Sequence, residues 1–376
     1  MSIPILEIIE PGLLTTVQDR GRYGFQRYGV PVSGAMDEFA LRMANLMVGN
    51  DQNAAAIEIA VQGPKIEFLA DTWITVTGAD LSPTIDDQPI PRWQAVEVKE
   101  DSVLTFGDMR DGMRVYLAVR GGIDVPVIMG SRSTYVKGNF GGLDGRTLRK
   151  GDQLAILPVD SNEFVPKQLP KNYTAPVYGG RHRLRVILGP QNDEFNQEAI
   201  SKFLGSRYKI APESDRMGYM LDGPTIGHVT DADIVSDGNP LGAIQIPGDG
   251  VPRILLADRG TTGGYTKIAT VITADLSRLA QALPGQTVSF QQVSVEEAQD
   301  ALKTQEAVIR SVERQGRIPV MSISLDGDMF EIQTEDGQAV TRQDSWGPHT
   351  HTVVRRMGVS LNDESYDFRV EVRREA

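Results

Sequence analysis

The sequence predicts a mainly β protein with a few helices: two β-rich barrel or sandwich halves, followed by a small C-terminal tail of one helix and hairpins. Three observations support this fold class. Short β-branched runs recur between Gly, Asp and Pro turn signals in the first half. The second half repeats that rhythm, and the pattern changes to a charged helix after Val293. Short strands at such spacing are typical of barrels and sandwiches.

The first half contains one predicted helix among short strands. The helix is predicted over Asp37–Val48, because Phe39, Met43 and Leu46 fall at helical spacing and Gly49 follows the last turn. We expect it to pack against the barrel. The predicted strands are Ile66–Leu69, Trp73–Thr77, Ala95–Val98, Val103–Phe106, Met113–Val119 and Gln153–Ile156.

A proline-rich connection separates the two halves. Residues 162–182 contain Pro166, Pro170 and Pro176 and few apolar pairs, which is typical of an extended linker. The predicted domains are therefore 1–165 and 180–293.

The second half has the same alternation of strands and turns around one short helix. That helix is predicted over Asp193–Phe203, with Asp193 as its N-cap. The predicted strands are Leu184–Leu188, Tyr219–Leu221, Ala243–Ile246, Ile254–Ala257 and Thr287–Phe290.

The last segment, 294–376, is predicted as a separate extension. A capping box at Ser294–Glu297 begins a charged helix that runs to about Arg314. Two stretches then alternate about turn residues, Met321–Ile332 and Val359–Val372. We expect two hairpins there.

Composition excludes several classes of function. The formal net charge is -12 and no long Lys/Arg run is present, so we expect no nucleic-acid partner. The chain has no cysteine, which excludes disulfides, thiolate metal sites and a cysteine nucleophile. Neither a secretory leader nor an apolar run of membrane-spanning length is visible. We therefore expect a cytoplasmic protein without a membrane partner.

The densest chemical signal is the Gly-rich segment Ser236–Ile272. Glycines let backbone N–H groups approach a bound anion or carbonyl closely, so the pattern suits an oxyanion or carboxylate cradle. Asp-Gly and Gly-Gly pairs also form ordinary turns, and both interpretations stay open. The segment's ionisable and hydroxyl side chains are Asp249, Asp258, Arg259, Thr261, Thr262, Tyr265 and Lys267.

Two other regions are candidates for function. Arg216 is either a clamp for a substrate carboxylate or half of a structural ion pair with Asp215. The polar stretches Thr15–Arg22 and Gly29–Asp37 suit surface loops near a cleft. Their plainer interpretation is that Ser33 or Asp37 caps the helix and that Asp19 pairs with Arg20.

Metal binding and self-contained hydrolase chemistry have little support. His349 and His351 share a strand face by their spacing, but two imidazoles do not make a metal site, so no metal is predicted. The sequence has no Gly-Lys dipeptide of a phosphate loop, no Met-Lys-Met of a biotin carrier and no Gly-x-Ser-x-Gly motif.

Several motifs together resemble one known family. The stretches are Gly12–Arg22, Gly29–Asp37, Thr77–Asp80, Gly189–Gln191 and Ser236–Ile272. They are similar to the KipA-like family, which includes the C subunit of 5-oxoprolinase, allophanate hydrolase subunit 2 and the matching part of the urea carboxylase carboxyltransferase domain. The resemblance covers roughly residues 5–295. It implies that the two halves are cyclophilin-like barrels and that the chain works in a complex.

The resemblance implies a function as well as a fold. The C subunit of 5-oxoprolinase works with two partners, a KipI-like B subunit and a LamB/YcsF-like A subunit. Together they couple ATP hydrolysis to the opening of 5-oxoproline into glutamate. One alternative is a biotin-dependent carboxyltransferase component acting on urea or a related amide, with biotin on a partner chain. Another is a non-catalytic regulator that binds a KipI-like protein.

The residues expected to act lie mostly in the Gly-rich segment. Lys267 and Arg259 would hold developing negative charge, and Asp249 or Asp258 would orient water or the ring N–H. The residues expected to bind substrate are Arg216, Gln245, Thr261, Thr262, Gly263, Gly264 and Tyr265. Asn239 departs from the family pattern, in which a small apolar residue is common.

Overall fold

The computed structural model describes residues 4–159 and 164–315, together with the backbone of the tail strands between 320 and 375. Strands dominate, as predicted. The α-helices within these residues are α1 (Glu38–Met47), α2 (Gln197–Gly205), α3 (Thr273–Ala280) and α4 (Val295–Glu313). The mainly β fold class is confirmed. None of these helices is both long and apolar enough to cross a membrane.

The first half forms two sheets that enclose one core. Its strands are β1 (Pro4–Glu10), β2 (Leu14–Gln18), β3 (Ala56–Ala60), β4 (Lys65–Phe68), β5 (Thr72–Asp80), β6 (Pro83–Ile85), β7 (Gln88–Pro89), β8 (Ala95–Val98), β9 (Val103–Phe106), β10 (Asp111–Val119), β11 (Ile123–Asp124) and β12 (Gln153–Ile156). One sheet has the order β11-β12-β1-β4-β9-β6-β7 and the other β2-β3-β10-β5-β8. All six predicted strands of this half are present.

The second half is a closed barrel with a separate two-stranded sheet. Its strands are β13 (Arg181–Leu188), β14 (Arg207–Ile210), β15 (Gly218–Asp222), β16 (Asp233–Gly238), β17 (Ala243–Gln245), β18 (Arg253–Leu255), β19 (Thr262–Tyr265), β20 (Lys267–Val271) and β21 (Thr287–Gln292). The barrel order is β13-β20-β17-β18-β15-β14-β21, closed by the parallel pair β13 and β21. Among the described strands, β16 and β19 pair only with each other, and we call them the ribbon.

Each half has its own apolar core. The first-half core includes Ile8, Ile57 and Leu117, whose side chains are all excluded from solvent. In the second half Phe203 of α2 stacks on Phe290 of β21, with ring centroids 4.5 Å apart. Burial of such large apolar side chains is the main favourable term in folding.

The first helix begins where the sequence predicts, and the second does not. Asp37 caps α1 by accepting a hydrogen bond from the Ala40 N–H at 2.9 Å. The N-cap of α2 is Asn196, which accepts from the Ala199 N–H at 2.8 Å. The prediction of Asp193 as this cap is wrong, because Asp193 lies in a separate 3-10 turn before the helix.

The prediction of a surface loop over Thr15–Arg22 is wrong for the first part of that stretch. Residues Leu14–Gln18 form β2, which pairs with β3 and is largely buried. Buried threonines satisfy their hydroxyls locally, as Thr15 does by donating to the Pro11 carbonyl at 2.6 Å. Polar composition therefore concealed a buried strand.

Helix α4 packs within the first of two compact units, Met1–Glu313, and the second unit is Arg314–Ala376. Ile309 and Val312 of α4 join the buried cluster around α1, and Arg42 of α1 pairs with Glu306. The extension predicted over 294–376 includes this helix, whereas all of α4 lies in the first unit. The division at 165 and 180 stays a prediction, as does the cyclophilin-like character of the halves.

The second unit contains the predicted hairpin pairings. Its described strands are β22 (Val320–Leu325), β23 (Asp328–Glu335), β24 (Gln338–Val340), β25 (Thr350–Leu361) and β26 (Glu364–Glu375). Strand β22 pairs antiparallel with β23, and β25 pairs antiparallel with β26. The turn residues between them lie outside the described residues.

Replacing Ile309 tests whether α4 is part of the first unit. Because Ile309 is fully buried, Ile309→Ala should lower the free energy of unfolding by about 2–5 kcal/mol. Val295→Ala, at an exposed position of the same helix, should change it by less than about 0.5 kcal/mol. Urea unfolding of both variants measures the difference, and equal stabilities would contradict the packing of α4.

Candidate functional site

The candidate site is centred on a buried amine at the start of β20. Lys267 is 1% exposed, and its Nζ has no hydrogen-bond partner among the described residues. An Asp237 carboxylate oxygen lies 3.7 Å from this Nζ, on a side chain that is 57% exposed. A buried ammonium group that makes no hydrogen bond is costly even with a carboxylate nearby, and this makes Lys267 a candidate for ligand binding.

Two side-chain amides lie beside this amine. Gln245 of β17 is the cross-strand neighbour of Lys267 and is also buried. Its Nε2 donates to the Asn239 Oδ1 at 3.1 Å. Cross-strand neighbours share one face of a sheet, so the amide and the amine belong to the same polar group.

The ribbon backbone approaches these amides closely at Gly263. A Cβ at Gly263 would lie 2.8 Å from both the Asn239 Nδ2 and the Gln245 Nε2. Gly189 has a similar role on the other side, where a Cβ would lie 2.0 Å from the Lys267 carbonyl oxygen. No side chain fits at Gly189, because the nearest atom belongs to the backbone, whereas a side chain at Gly263 would force the two amide ends to move.

Arg259 supports this group through hydrogen bonds to backbone carbonyls. Its Nε donates to the Asn239 carbonyl at 2.7 Å, and its Nη1 donates to the Leu256 carbonyl at 3.1 Å. Burial lowers the pKa of this guanidinium, and the charge of Tyr23 opposes that shift. The Asn239 N–H donates to the Thr261 carbonyl at 3.0 Å, which fixes the same loop.

A second buried charge joins the two halves. Arg216 donates through Nε and Nη2 to both carboxylate oxygens of Asp258, at 3.0 and 3.2 Å. Its Nη1 donates to Glu58 of β3 at 2.5 Å, and its Nη2 donates to the Gly34 carbonyl at 2.6 Å. Burial would lower the pKa of Arg216, but the charges of Asp258 and Glu58 outweigh burial and raise it.

The network continues through the first half. Tyr116 donates to Glu58 at 2.6 Å and accepts from the Asp37 N–H at 2.7 Å. Gln281, after α3, donates to the Asp37 carboxylate at 2.8 Å. Burial raises the pKa of Asp37, while hydrogen bonds from Gln281 and the Ala40 N–H oppose that rise. The site segment is thus tied to α1 and α3.

Comparison with known proteins decides the family. Residues 28–292 match the family described as carboxyltransferase domain, subdomain A and B. The chain belongs to this carboxyltransferase-domain family. It is 42% identical over 305 residues to the 5-oxoprolinase C subunit of Escherichia coli, covering 80% of this chain and 96% of that protein. It is 36% identical to urea amidolyase of Saccharomyces cerevisiae, covering 82% of this chain but 18% of that protein.

Solved structures of the family agree. The urea amidolyase of K. lactis is similar with a TM-score of 0.78 and 32% identity, over 89% of this chain and 22% of that one. The structure of TTHA0988 is similar with a TM-score of 0.69 and 33% identity, over 77% of this chain and 55% of that one. The resemblance to the C subunit of 5-oxoprolinase, like that to the urea carboxylase domain, is confirmed.

Within this carboxyltransferase domain, the predicted site residues separate into groups. Lys267, Gln245 and Gly263 come together, with Arg259 behind them. Asp258 and Arg216 pair with each other instead. Residues Thr262 and Tyr265 lie on the exposed ribbon, with Gly264 half-buried between them and Thr261 just before it.

Asp249 lies apart from this group. It accepts from the Val251 N–H at 3.0 Å and pairs with Arg253 at 2.5 Å, both within its own exposed turn. None of its described hydrogen bonds reaches Lys267, Gln245 or Asn239. The structure gives Asp249 the contacts of a turn residue.

Two predicted ion pairs are wrong. Asp215 pairs with Lys137 rather than with Arg216. Asp19 accepts hydrogen bonds from Ser131 and Ser133, and Arg20 pairs with Glu38. Each aspartate instead accepts a hydrogen bond from the backbone N–H two residues on, Gly21 for Asp19 and Met217 for Asp215, which holds its carboxylate in its own turn.

Metal binding was not predicted, and the described residues offer no cluster for it. In that part of the chain no group of three or more His, Asp or Glu side chains is arranged to hold a metal. His349 and the side chain of His351 lie outside the described residues.

Sequence reasoning missed Glu58, Asn239 and Asp237 as members of these networks. Glu58 had a usable signal, because it is the single charge in the apolar strand β3, Ala56–Ala60, all of whose residues are buried. A carboxylate in such a strand needs a cationic partner. Nothing in the sequence indicates that the partner is Arg216.

Removing Arg216 should destabilise the protein far more than removing a surface arginine. Arg216→Ala leaves two buried carboxylates uncompensated, so we expect a loss of about 3–5 kcal/mol in the free energy of unfolding. Arg253→Ala breaks only the partly exposed pair with Asp249, so we expect about 1 kcal/mol or less. Similar losses in chemical denaturation would contradict the assigned role of Arg216.

Proposed function

We propose that this chain is the C subunit of an ATP-dependent 5-oxoprolinase complex, which opens 5-oxoproline to glutamate. The observation that carries the proposal is the 42% identity to the corresponding Escherichia coli protein across 96% of that protein. A second relative supports it: the 5-oxoprolinase C subunit of Haemophilus influenzae is 33% identical, and the match covers 98% of that protein. The chain is then one component of a cytoplasmic hydrolase complex.

The buried amine suits the chemistry of a lactam. Water must add to a stable amide carbonyl, the ring C–N bond must break, and the nitrogen must receive a proton. Negative charge develops on the carbonyl oxygen during addition. In this proposal the ammonium group of Lys267, which is screened from solvent, stabilises that charge, and the Gln245 and Asn239 amides supply further polar contacts.

The remaining components belong to the complex. We assign ATP to the assembled enzyme, because the sequence contains no Gly-Lys dipeptide of a Walker-type loop. The proposed partners are a KipI-like B subunit and a LamB/YcsF-like A subunit. We assign a positioning role to Asp258 and Arg216 through their ion pair, and substrate contact to Lys267.

Replacing Lys267 separates function from stability. Lys267→Met removes a buried charge that has no hydrogen-bond partner among the described residues, so the free energy of unfolding should stay equal or rise. ATP-dependent cleavage of 5-oxoproline by the reconstituted complex should fall by about 100-fold or more. Lys202→Met, at an exposed position of α2, should leave both unchanged. Full activity of Lys267→Met would show that this amine takes no part in the reaction.

A biotin-dependent carboxyltransferase component is the second candidate function. The match to the carboxyltransferase domain and the 36% identity to urea amidolyase favour it. Biotin would then be attached to a partner chain.

Reconstitution separates these candidates. Cleavage of 5-oxoproline without biotinylated protein supports the first proposal. Bicarbonate-dependent ATP consumption with urea and a biotinylated partner would support the second. A purely regulatory chain that binds a KipI-like protein would show neither activity in the reconstituted mixture.

A further inference from the structure

We propose that the ribbon is the docking surface for a basic, extended segment of a partner protein, which closes over Lys267. This inference rests on the proposed function in one respect, which is that the partner is a subunit of the proposed 5-oxoprolinase complex. The ribbon stands outside the barrel, because β16 and β19 pair with no barrel strand. A two-stranded sheet on its own is marginally stable, so a further strand would stabilise it.

The ribbon exposes apolar surface. Val235, in the middle of β16, is 92% exposed, and Tyr265 of β19 is also exposed. Val229 and Leu241, on either side of β16 in the sequence, are exposed as well. A single exposed apolar side chain is ordinary, but several in one short segment are typical of an interaction site.

The charge of the ribbon indicates the chemistry of its partner. Residues 228–238 contain Asp231, Asp233 and Asp237 and no lysine or arginine. Glu194 adds a further carboxylate beside this segment, where it accepts from the Thr230 hydroxyl at 2.5 Å. An acidic surface with an apolar centre fits a segment that carries lysine or arginine on either side of an apolar residue.

The free edge of β16 indicates how the partner binds. Among the described strands, β16 has β19 on one side and no strand on the other. An unpaired edge accepts an added strand through its backbone N–H and C=O groups. A second copy of this chain fits poorly, because two identical acidic ribbons on chains of net charge -12 would repel each other.

The position of the ribbon connects docking to the reaction. Asp237 of β16 lies 3.7 Å from the Lys267 amine, and Gly263 of β19 lies against the Gln245 amide. A strand added to β16 would therefore lie beside Asp237, whose side chain is 57% exposed, and would shield its contact with Lys267 from water. Excluding water strengthens electrostatic interactions at such a site.

The test measures binding of purified KipI-like and LamB/YcsF-like proteins to variants of this chain. Val235→Asp removes the apolar centre and Asp233→Lys inverts a charge, and each should weaken binding by about tenfold or more. Added salt should weaken wild-type binding, and Asp233→Lys should show a smaller dependence on salt. The matched controls are Val177→Asp, at a 74% exposed position, and Asp222→Lys, at an exposed position of β15.

Wild-type affinity in both ribbon variants would overturn the proposal. The aspartates would then serve only to prevent edge-to-edge aggregation of the exposed strand. Absence of any complex with wild-type chain, or self-association of the chain that Val235→Asp abolishes, would also overturn it. Failure of the functional proposal alone would give a different result. The wild-type mixture would then assemble but not cleave 5-oxoproline, while the ribbon variants would still bind weakly.

Discussion

The ion triad of Glu58, Arg216 and Asp258 is the interaction on which the rest of the structure depends. A buried guanidinium is tolerated only when its charge and its N–H groups are both satisfied. Here a strand of the first half and a loop of the second supply the two carboxylates, and Gly34 supplies a carbonyl. The halves must therefore meet in one orientation. That constraint also anchors the Gly-rich segment Ser236–Ile272, which contains Asp258.

Lys267 is also a buried cation, but unlike Arg216 it makes no hydrogen bond through its charged group within the described residues. Its amine is as well shielded from solvent as Arg216, yet it has no hydrogen-bond partner among the described residues. The difference separates two uses of buried charge. Arg216 makes four hydrogen bonds and joins the two halves, whereas the donors of Lys267 are the ones that the proposed function assigns to a ligand. Gly263 and Gly189 make that arrangement possible by letting backbone approach where a side chain would collide.

The proposed docking at the ribbon would give this family a means of assembly. The chain matches nearly all of the Escherichia coli 5-oxoprolinase C subunit, whereas it matches only 18% of urea amidolyase. Similar domains therefore occur both as separate chains and inside longer ones. Either arrangement requires a surface where the remaining parts of the enzyme meet this domain. In the proposal above the ribbon is that surface, and it lies beside the buried amine.

The sequence by itself determined the strand-rich class and the helix that begins after Asp37. These are local properties, set by periodicity, capping and turn residues within a few positions. Only the tertiary structure decided which charged side chains pair with each other. Glu58 and Arg216 are 158 residues apart, and Arg216 and Asp258 are 42 apart, so no local pattern relates them. Asp249 and Asp237 look alike in sequence, but only Asp237 lies beside Lys267, because burial and charge pairing depend on which strands the fold brings together.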